Sequence, residues 1–85
     1  MPDLTRKFKQ AQDKMNNLAQ RPDNATSLRL YALYKQATKG DASGERPGMF
    51  DLVGRAKYDA WAEVKGMSAG DAMQEYIDLA DSIQA

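Results

Sequence analysis

Apolar residues recur every three or four positions along most of the chain, the spacing of a helix that buries one face. No stretch alternates strictly between apolar and polar residues, so the pattern does not predict a strand. The first helical pattern runs from Leu4 to Ala19, with Asp3 as its expected N-cap. Its apolar stripe consists of Leu4, Phe8, Ala11, Met15 and Leu18.

A second helix is predicted from Asn24 to Lys39, with Asp23 or Asn24 as its cap and Gly40 as a left-handed stop. Pro22 separates it from the first helix, because proline disfavours a helical residue before it. The apolar residues of this helix cover more than one side, which indicates a ligand as well as a core. They are Leu28, Leu30, Tyr31, Leu33, Tyr34 and Ala37.

A connection rich in glycine and turn residues follows, and it reads GDASGERPGMFD. Loops near or beyond about 12 residues are uncommon and often functional, and one this long allows the next helix to run parallel to the second. The third helix is predicted from Leu52 to Lys65, capped by Asp51 and closed by Gly66, and the fourth begins after Ser68. The pattern therefore predicts an all-α, four-helix bundle.

Cysteine and histidine are both absent from the 85 residues. Without cysteine there can be no disulfide or thiolate metal site, and a reducing compartment is suitable. Without histidine the chain lacks the commonest general base and every Ser-His or Cys-His pair, so we expect a protein that is not an enzyme. Twelve basic residues balance twelve acidic ones, whereas a dedicated nucleic-acid binder normally has an excess of basic residues.

The length predicts one domain over residues 1–85. The longest apolar runs are only a few residues, too short for a membrane span or a secretory signal. We therefore expect a cytoplasmic protein without stable membrane insertion and, at this size, a monomer.

Tyrosine and lysine side chains form the most informative group. Tyr31 and Lys35 are four residues apart on one face of the second helix, with Tyr34 beside that face. Lys57 of a parallel third helix and Tyr76 of the fourth could join them. Ammonium groups, phenol hydroxyls and aromatic rings suit a ligand with phosphates and a purine. The same residues would also fit a half-buried core edge with solvated lysines.

Two other groups point to structure rather than chemistry. Gly40, Gly44 and Gly48 match neither phosphate-binding glycine motif and suit turns. Asp59 and Glu63 share a helix face, but nothing in the pattern indicates the burial that would separate the pKa values of an acid and a base. We interpret them as a solvated surface.

Several segments together resemble the signature of the acyl-CoA-binding protein family. The run YALYKQAT begins at Tyr31, ERPGM begins at Glu45, and GRAKYDAW begins at Gly54. The resemblance continues through Lys65-Gly66 and Asp71-Ala72-Met73 to Tyr76-Ile77, and it covers nearly the whole chain in order. It implies a bundle of up-down-down-up topology that binds long-chain fatty acyl-CoA esters, with no further cofactor.

The resemblance also implies roles for six residues. Tyr31 would face the adenine ring, Lys35 would pair with the ribose 3′-phosphate, and Lys57 would serve the same region. Tyr34 and Tyr76 would complete the head-group pocket, and Leu28 would line its apolar part. Three positions depart from the family pattern: Asn16 and Val53 stand where lysine is common, and Tyr58 replaces a frequent tryptophan.

Three functions compete at this point. The first is an intracellular carrier and buffer of acyl-CoA, which could contact membranes or acyl-CoA-using enzymes transiently. The second is a protein-interaction module that docks a partner helix on the second apolar side of helix two. The third, a CoA-thioester hydrolase, is disfavoured because histidine and cysteine are absent.

Overall fold

The computed structural model describes residues 2–83 of the chain, with side chains from residue 3 onward. This part of the chain contains the expected helices and no strand. The helices are α1 (Pro2–Asn16), α2 (Asn24–Lys39), α3 (Leu52–Glu63) and α4 (Ala69–Ser82). None of them, within the described residues, is both long and apolar enough to cross a membrane.

Three of the four predicted N-caps are confirmed. The side chains of Asp23, Asp51 and Ser68 accept hydrogen bonds from backbone N–H groups in the first turns of α2, α3 and α4. The prediction for Asp3 is wrong, because α1 already begins at Pro2 and Asp3 therefore lies inside its first turn. A carboxylate in that turn still complements the partial positive charge of the helix N-terminus.

Two helices also end earlier in the sequence than predicted. α1 ends at Asn16 rather than Ala19, because Asn17 makes a tight backbone bond to Lys14 O and its side chain donates to Asp13 O at 2.8 Å. α3 ends at Glu63 rather than Lys65, where bonds between residues three apart tighten the chain into a turn. Gly66 closes that turn with a φ of 91°.

Gly40 ends α2 as predicted, but its conformation differs from the expected left-handed helical one. Its φ is 86° and its ψ is −153°, a region that is essentially reserved for glycine. Its N–H still donates to Gln36 O, so the last turn of α2 is closed by a backbone bond.

Contacts at the helix ends establish the direction of each helix. α1 and α4 run parallel, because Leu4 packs against Gly70 at one end and Lys14 Nζ donates to Ala80 O at the other. α2 and α3 are also parallel, since the Trp61 indole near the end of α3 donates to the carbonyl of Gly40, just after α2. α2 and α4 are antiparallel, because Gln36 near the end of α2 donates to the carbonyl of Met67, just before α4 begins. The predicted up-down-down-up topology is confirmed.

α2 is the central helix, because it packs against α3 on one side and α4 on the other, while α1 packs against α4. Ala32, Ala72 and Ala80 are at most 1% exposed, and their small side chains allow the backbones to approach closely. Larger buried side chains come from all four helices: Phe8, Leu30, Leu33, Trp61, Val64, Tyr76 and Ile77.

A buried amide ties the end of α2 to the turn before α4. Gln36 is 2% exposed, and its Nε2 donates to Asp41 Oδ1 and to Met67 O, both at 2.8 Å. Asp41 Oδ1 also accepts from the N–H of Gly66 at 2.8 Å. These bonds connect residues 36–41 to the turn at residues 66–67, two segments that are distant in sequence, and they set the antiparallel register of α2 and α4.

The hydrogen bonds to Asp41 predict a pH-dependent stability. The bond from Gly66, followed by the bond from Gln36, holds the pKa of Asp41 below its ordinary value of 3.8. The stabilisation by this carboxylate is therefore present above pH 3.8 and disappears as the pH falls through the lower, folded-state pKa. We expect Asp41→Ala to be less stable than the wild type at neutral pH, with a difference that shrinks in acid.

Urea unfolding followed by circular dichroism at neutral and strongly acidic pH would measure this difference. Ser43→Ala, in the same loop, is the control that should leave stability unchanged at both pH values. A difference between Asp41→Ala and the wild type that stayed constant with pH would contradict the role of the carboxylate.

Candidate ligand-binding site

Tyr31 lies beneath two lysine ammonium groups at the contact between α2 and α3. Lys35 Nζ, one helical turn further along α2, is 5.9 Å from the centroid of the Tyr31 ring. Lys57 Nζ, from α3, is 5.3 Å from the same centroid. These distances are typical of cation–π contacts. The structure therefore brings Tyr31, Lys35 and Lys57, three of the six residues singled out from the sequence, together on one surface.

Trp61 also contacts Lys35, and the sequence analysis did not include it in the site. Lys35 Nζ is 4.9 Å from the Trp61 ring centroid, closer than it is to Tyr31. Trp61 is itself held, because its Nε1 donates to Gly40 O at 2.7 Å. The fixed indole ring thus positions the ammonium group of Lys35. Trp61 is buried in the core, but a helical pattern cannot show which lysine of another helix it contacts.

The tyrosine cavity, a polar recess of about 300 Å³, opens between α1, α2 and α4. Phe8 packs between two of the tyrosines at this site, with its ring centroid 6.3 Å from that of Tyr34 and 5.1 Å from that of Tyr76. The sequence prediction included three of the lining residues and missed the other three. The lining consists of Gln12, Asn16, Leu30, Tyr31, Tyr34 and Tyr76.

Tyr76 and Tyr34 contribute differently to the tyrosine cavity. Tyr76 is buried, whereas Tyr34 is 40% exposed. Burial, with a smaller contribution from the neighbouring Tyr34, raises the pKa of Tyr76 above its ordinary value of 10.0. Its phenol therefore stays protonated at neutral pH and can donate a hydrogen bond.

The apolar cavity lies on the other side of Tyr31, between the amino-terminal halves of α2 and α3, with a volume of about 390 Å³. Leu28 is one of its lining residues. Leu52, Val53 and Ala56 supply the rest of its apolar wall, and the cations Arg21 and Lys57 stand at its border together with Asn24, Ser27 and Tyr31. Tyr31 lines both cavities and so separates a polar recess from an apolar one.

The departures at positions 16 and 58 have clear structural consequences. Asn16 lines the tyrosine cavity, so a lysine there would place a cation beside Tyr31 and Tyr34. Lys14 does not replace it, because its Nζ donates to Ala80 O in the groove between α1 and α4. Tyr58 donates its hydroxyl to Gly44 O at 3.1 Å and so attaches the long loop to α3.

Asp59 belongs to the anchoring of that loop. Arg46 donates to both of its carboxylate oxygens, at 2.9 and 2.7 Å. This hydrogen bonding holds the pKa of Asp59 below its usual range. Asp59 thus stays ionised at neutral pH and does not behave as the acid of an acid–base pair with Glu63, in agreement with the interpretation from sequence.

Comparison with known proteins gives the decisive observation. The family model described as "Acyl CoA binding protein" matches residues 5–80. This chain is a member of the acyl-CoA-binding protein family. The resemblance read from the motifs is thereby confirmed.

Individual family members agree with this assignment along most of their length. Acyl-CoA-binding protein homolog 1 of Caenorhabditis elegans is 43% identical over 96% of this chain and 95% of its own. The acyl-CoA-binding protein of Saccharomyces cerevisiae is 45% identical over 92% of this chain and 90% of its own. The crystal structure of Oryza sativa Acyl-CoA-Binding Protein 2 superposes with a TM-score of 0.89 at 40% identity, covering 93% of this chain and 86% of that one.

The Trp61 indole provides a test of how this family member supports its binding surface. Trp61→Phe removes the hydrogen bond to Gly40 and part of a buried ring, and we expect it to lower the free energy of unfolding by about 1–3 kcal/mol. Tyr58→Phe is the matched control, since it removes an exposed hydroxyl bond to the same loop and should cost less. Urea denaturation would measure both, and equal costs would contradict the proposed importance of the buried indole bond.

Proposed function

We propose that this chain binds long-chain fatty acyl-CoA esters and carries them without chemical change. The observation that supports this most directly is the position of Tyr31, which has two ammonium groups over its ring and separates a polar cavity from an apolar one. A fatty acyl-CoA has the same division, because a charged nucleotide is joined to an apolar tail. The names of the related proteins in worm, yeast and rice agree with this ligand.

In this proposal the nucleotide head occupies the surface around Tyr31. The Tyr31 ring stacks against adenine, and Lys35 pairs with the ribose 3′-phosphate. Lys57 contributes charge to the same phosphate-rich region. Charge-assisted hydrogen bonds of this kind are stronger than neutral ones, so the two ammonium groups determine the register of the head group.

The remaining residues complete the site on either side. Tyr34 and Tyr76 line the tyrosine cavity, where they hydrogen-bond and pack against the head group, while Leu28 and the apolar cavity receive the first part of the tail. Burying one methylene contributes about 0.8 kcal/mol, so a tail of about 14 methylenes offers on the order of 11 kcal/mol before the costs of binding. The tail thus provides much of the affinity and the head provides selectivity.

We infer transport rather than catalysis. The family is one of binding proteins, and the chain has no histidine or cysteine to serve as base or nucleophile. We further propose that the carrier is a cytoplasmic monomer that needs no cofactor. The lack of cysteine suits that reducing compartment, and size-exclusion chromatography with light scattering would test the oligomeric state.

Native mass spectrometry with palmitoyl-CoA, free CoA and palmitate tests the proposed function directly. A carrier binds the ester stoichiometrically and either fragment much more weakly, because each fragment satisfies only one of the two cavities. A protein-interaction module would ignore all three compounds. Accumulation of free CoA over time would instead indicate thioester hydrolysis.

The role of Lys35 can be measured by calorimetry. Loss of a charge-assisted hydrogen bond to phosphate is expected to make Lys35→Ala bind palmitoyl-CoA more weakly by about 1.5–3 kcal/mol. Lys39→Ala removes an equal charge from an exposed position one turn further along α2 and should bind as the wild type does. Unchanged affinity in Lys35→Ala would refute the assigned role.

Asn16 offers a test in the opposite direction. Asn16→Lys adds a cation to the wall of the tyrosine cavity, and an exposed ion pair with a CoA phosphate should tighten binding by about two- to fivefold at low salt. Asn17→Lys places the same charge on the adjacent exposed residue, outside the cavity lining. If both variants bound equally well, general attraction by net charge would explain the gain and the cavity position would not.

A further inference from the structure

The tyrosine cavity offers hydrogen bonds to a ligand without offering charge. None of the six described side chains that line it is a lysine, an arginine, an aspartate or a glutamate. The ammonium groups of Lys35 and Lys57 lie instead over the ring of Tyr31. Phosphates are drawn to those cations, whereas an uncharged heterocyclic base needs donors and acceptors. The phosphates of a nucleotide therefore suit the lysines, and its base suits the tyrosine cavity.

Gln12 contributes a carboxamide to the α1 wall of this cavity. It is half-buried, one helical turn after Phe8. Its Nε2 lies 3.5 Å from Phe8 O, which is longer than an ordinary N–H···O hydrogen bond. Among the residues that the structure describes, this long contact is the one hydrogen bond of the Gln12 side chain. Its amide oxygen and at least one of its two N–H donors are therefore available to a ligand.

A carboxamide matches one edge of adenine. Adenine presents a 6-amino donor beside the N7 acceptor, and a glutamine side chain binds both groups at once through its oxygen and its nitrogen. Hypoxanthine has a 6-oxo group instead, so it presents two acceptors at this edge. Glutamine then loses one of the two contacts whichever way its amide is turned, because its own oxygen faces either O6 or N7. Gln12 can therefore distinguish the two bases.

The other polar groups of the cavity are less selective. A tyrosine hydroxyl both donates and accepts, so Tyr34 and Tyr76 can turn their O–H groups to suit an amino or a carbonyl group. Asn16 also has a carboxamide, but it is exposed, where water competes for the same hydrogen bonds. Discrimination between bases at this site therefore depends mainly on Gln12.

We propose that Gln12 determines the base selectivity of the head-group site. Its Oε1 accepts from the 6-amino group of adenine and its Nε2 donates to N7, while the ring of Tyr31 stacks on the base. This inference rests on the proposed function, because it takes the ligand to be an acyl-CoA whose adenine lies at Tyr31. It adds a residue that the sequence analysis did not include in the site.

Calorimetry with two esters tests the proposal. The probes are palmitoyl-CoA and the palmitoyl thioester of deaminated CoA, in which hypoxanthine replaces adenine and the tail and phosphates are unchanged. The wild type should prefer the adenine ester by about five- to twentyfold, the effect of one bidentate contact at a partly exposed site. Gln12→Ala should reduce this preference to less than about twofold. Gln10→Ala, on the exposed side of α1 and outside the cavity lining, should keep the wild-type preference.

Gln12→Lys is a test that predicts a reversal. A lysine ammonium donates to two acceptors such as O6 and N7, so this variant should prefer the hypoxanthine ester. Asn17→Lys adds the same charge at an exposed position outside the cavity lining and should keep the preference for adenine. Because each preference is a ratio of two affinities in one protein, a general attraction of the added charge for phosphates cancels.

The outcomes separate this inference from the proposed function. Equal affinity of the wild type for the two esters would overturn the role of Gln12 and leave the carrier function standing. A wild-type preference that persisted in Gln12→Ala, or in Gln12→Lys, would also overturn that role. Failure of the wild type to bind either ester would instead overturn the proposed function.

Discussion

The parallel contact between α2 and α3 depends on the buried indole at its carboxyl end. The Trp61 Nε1–H satisfies the carbonyl of Gly40, in a partly buried place where an unpaired carbonyl would be costly. That bond joins the end of α3 to the residue that terminates α2. With the two helix ends held together, Tyr31 and Lys57 meet further along the same contact.

Gln36 makes the corresponding connection from α2 to the turn before α4. Its donors are satisfied by Asp41 and Met67, and an amide buried to this extent specifies one register because a shifted helix would leave those donors unpaired. α2 is therefore held on two sides by directional bonds, and its remaining exposed face is available for a ligand. The tyrosine cavity and the apolar cavity both open along that face.

Tyr31 stands at the boundary between a polar and an apolar part of the surface. Polar groups and tyrosines line the cavity on one side of Tyr31, whereas leucine, valine and alanine supply the apolar wall on the other. A ligand with a charged head group and an apolar tail matches this arrangement of a polar cavity beside an apolar one.

Local patterns predicted the helices because the relevant physics acts over a few residues. Apolar periodicity located all four helices, and short side chains at Asp23, Asp51 and Ser68 identified three starts. The errors are local as well: a proline can begin a helix one position before an acidic residue that resembles a cap, and Asn17 ends α1 by bonding to its own backbone. Apolar periodicity does not report such competition between side chain and backbone.

The sequence by itself determined that Tyr31 and Lys35 share a helix face, because residues four apart always do, and its motifs determined the family. Only the tertiary structure decided that Trp61 and Lys57 approach that face, that Asn16 lines the tyrosine cavity while Lys14 points to α4, and that Tyr31 separates two cavities. The angle and register at which helices pack follow from burying side chains far apart in the chain. No local pattern contains that information.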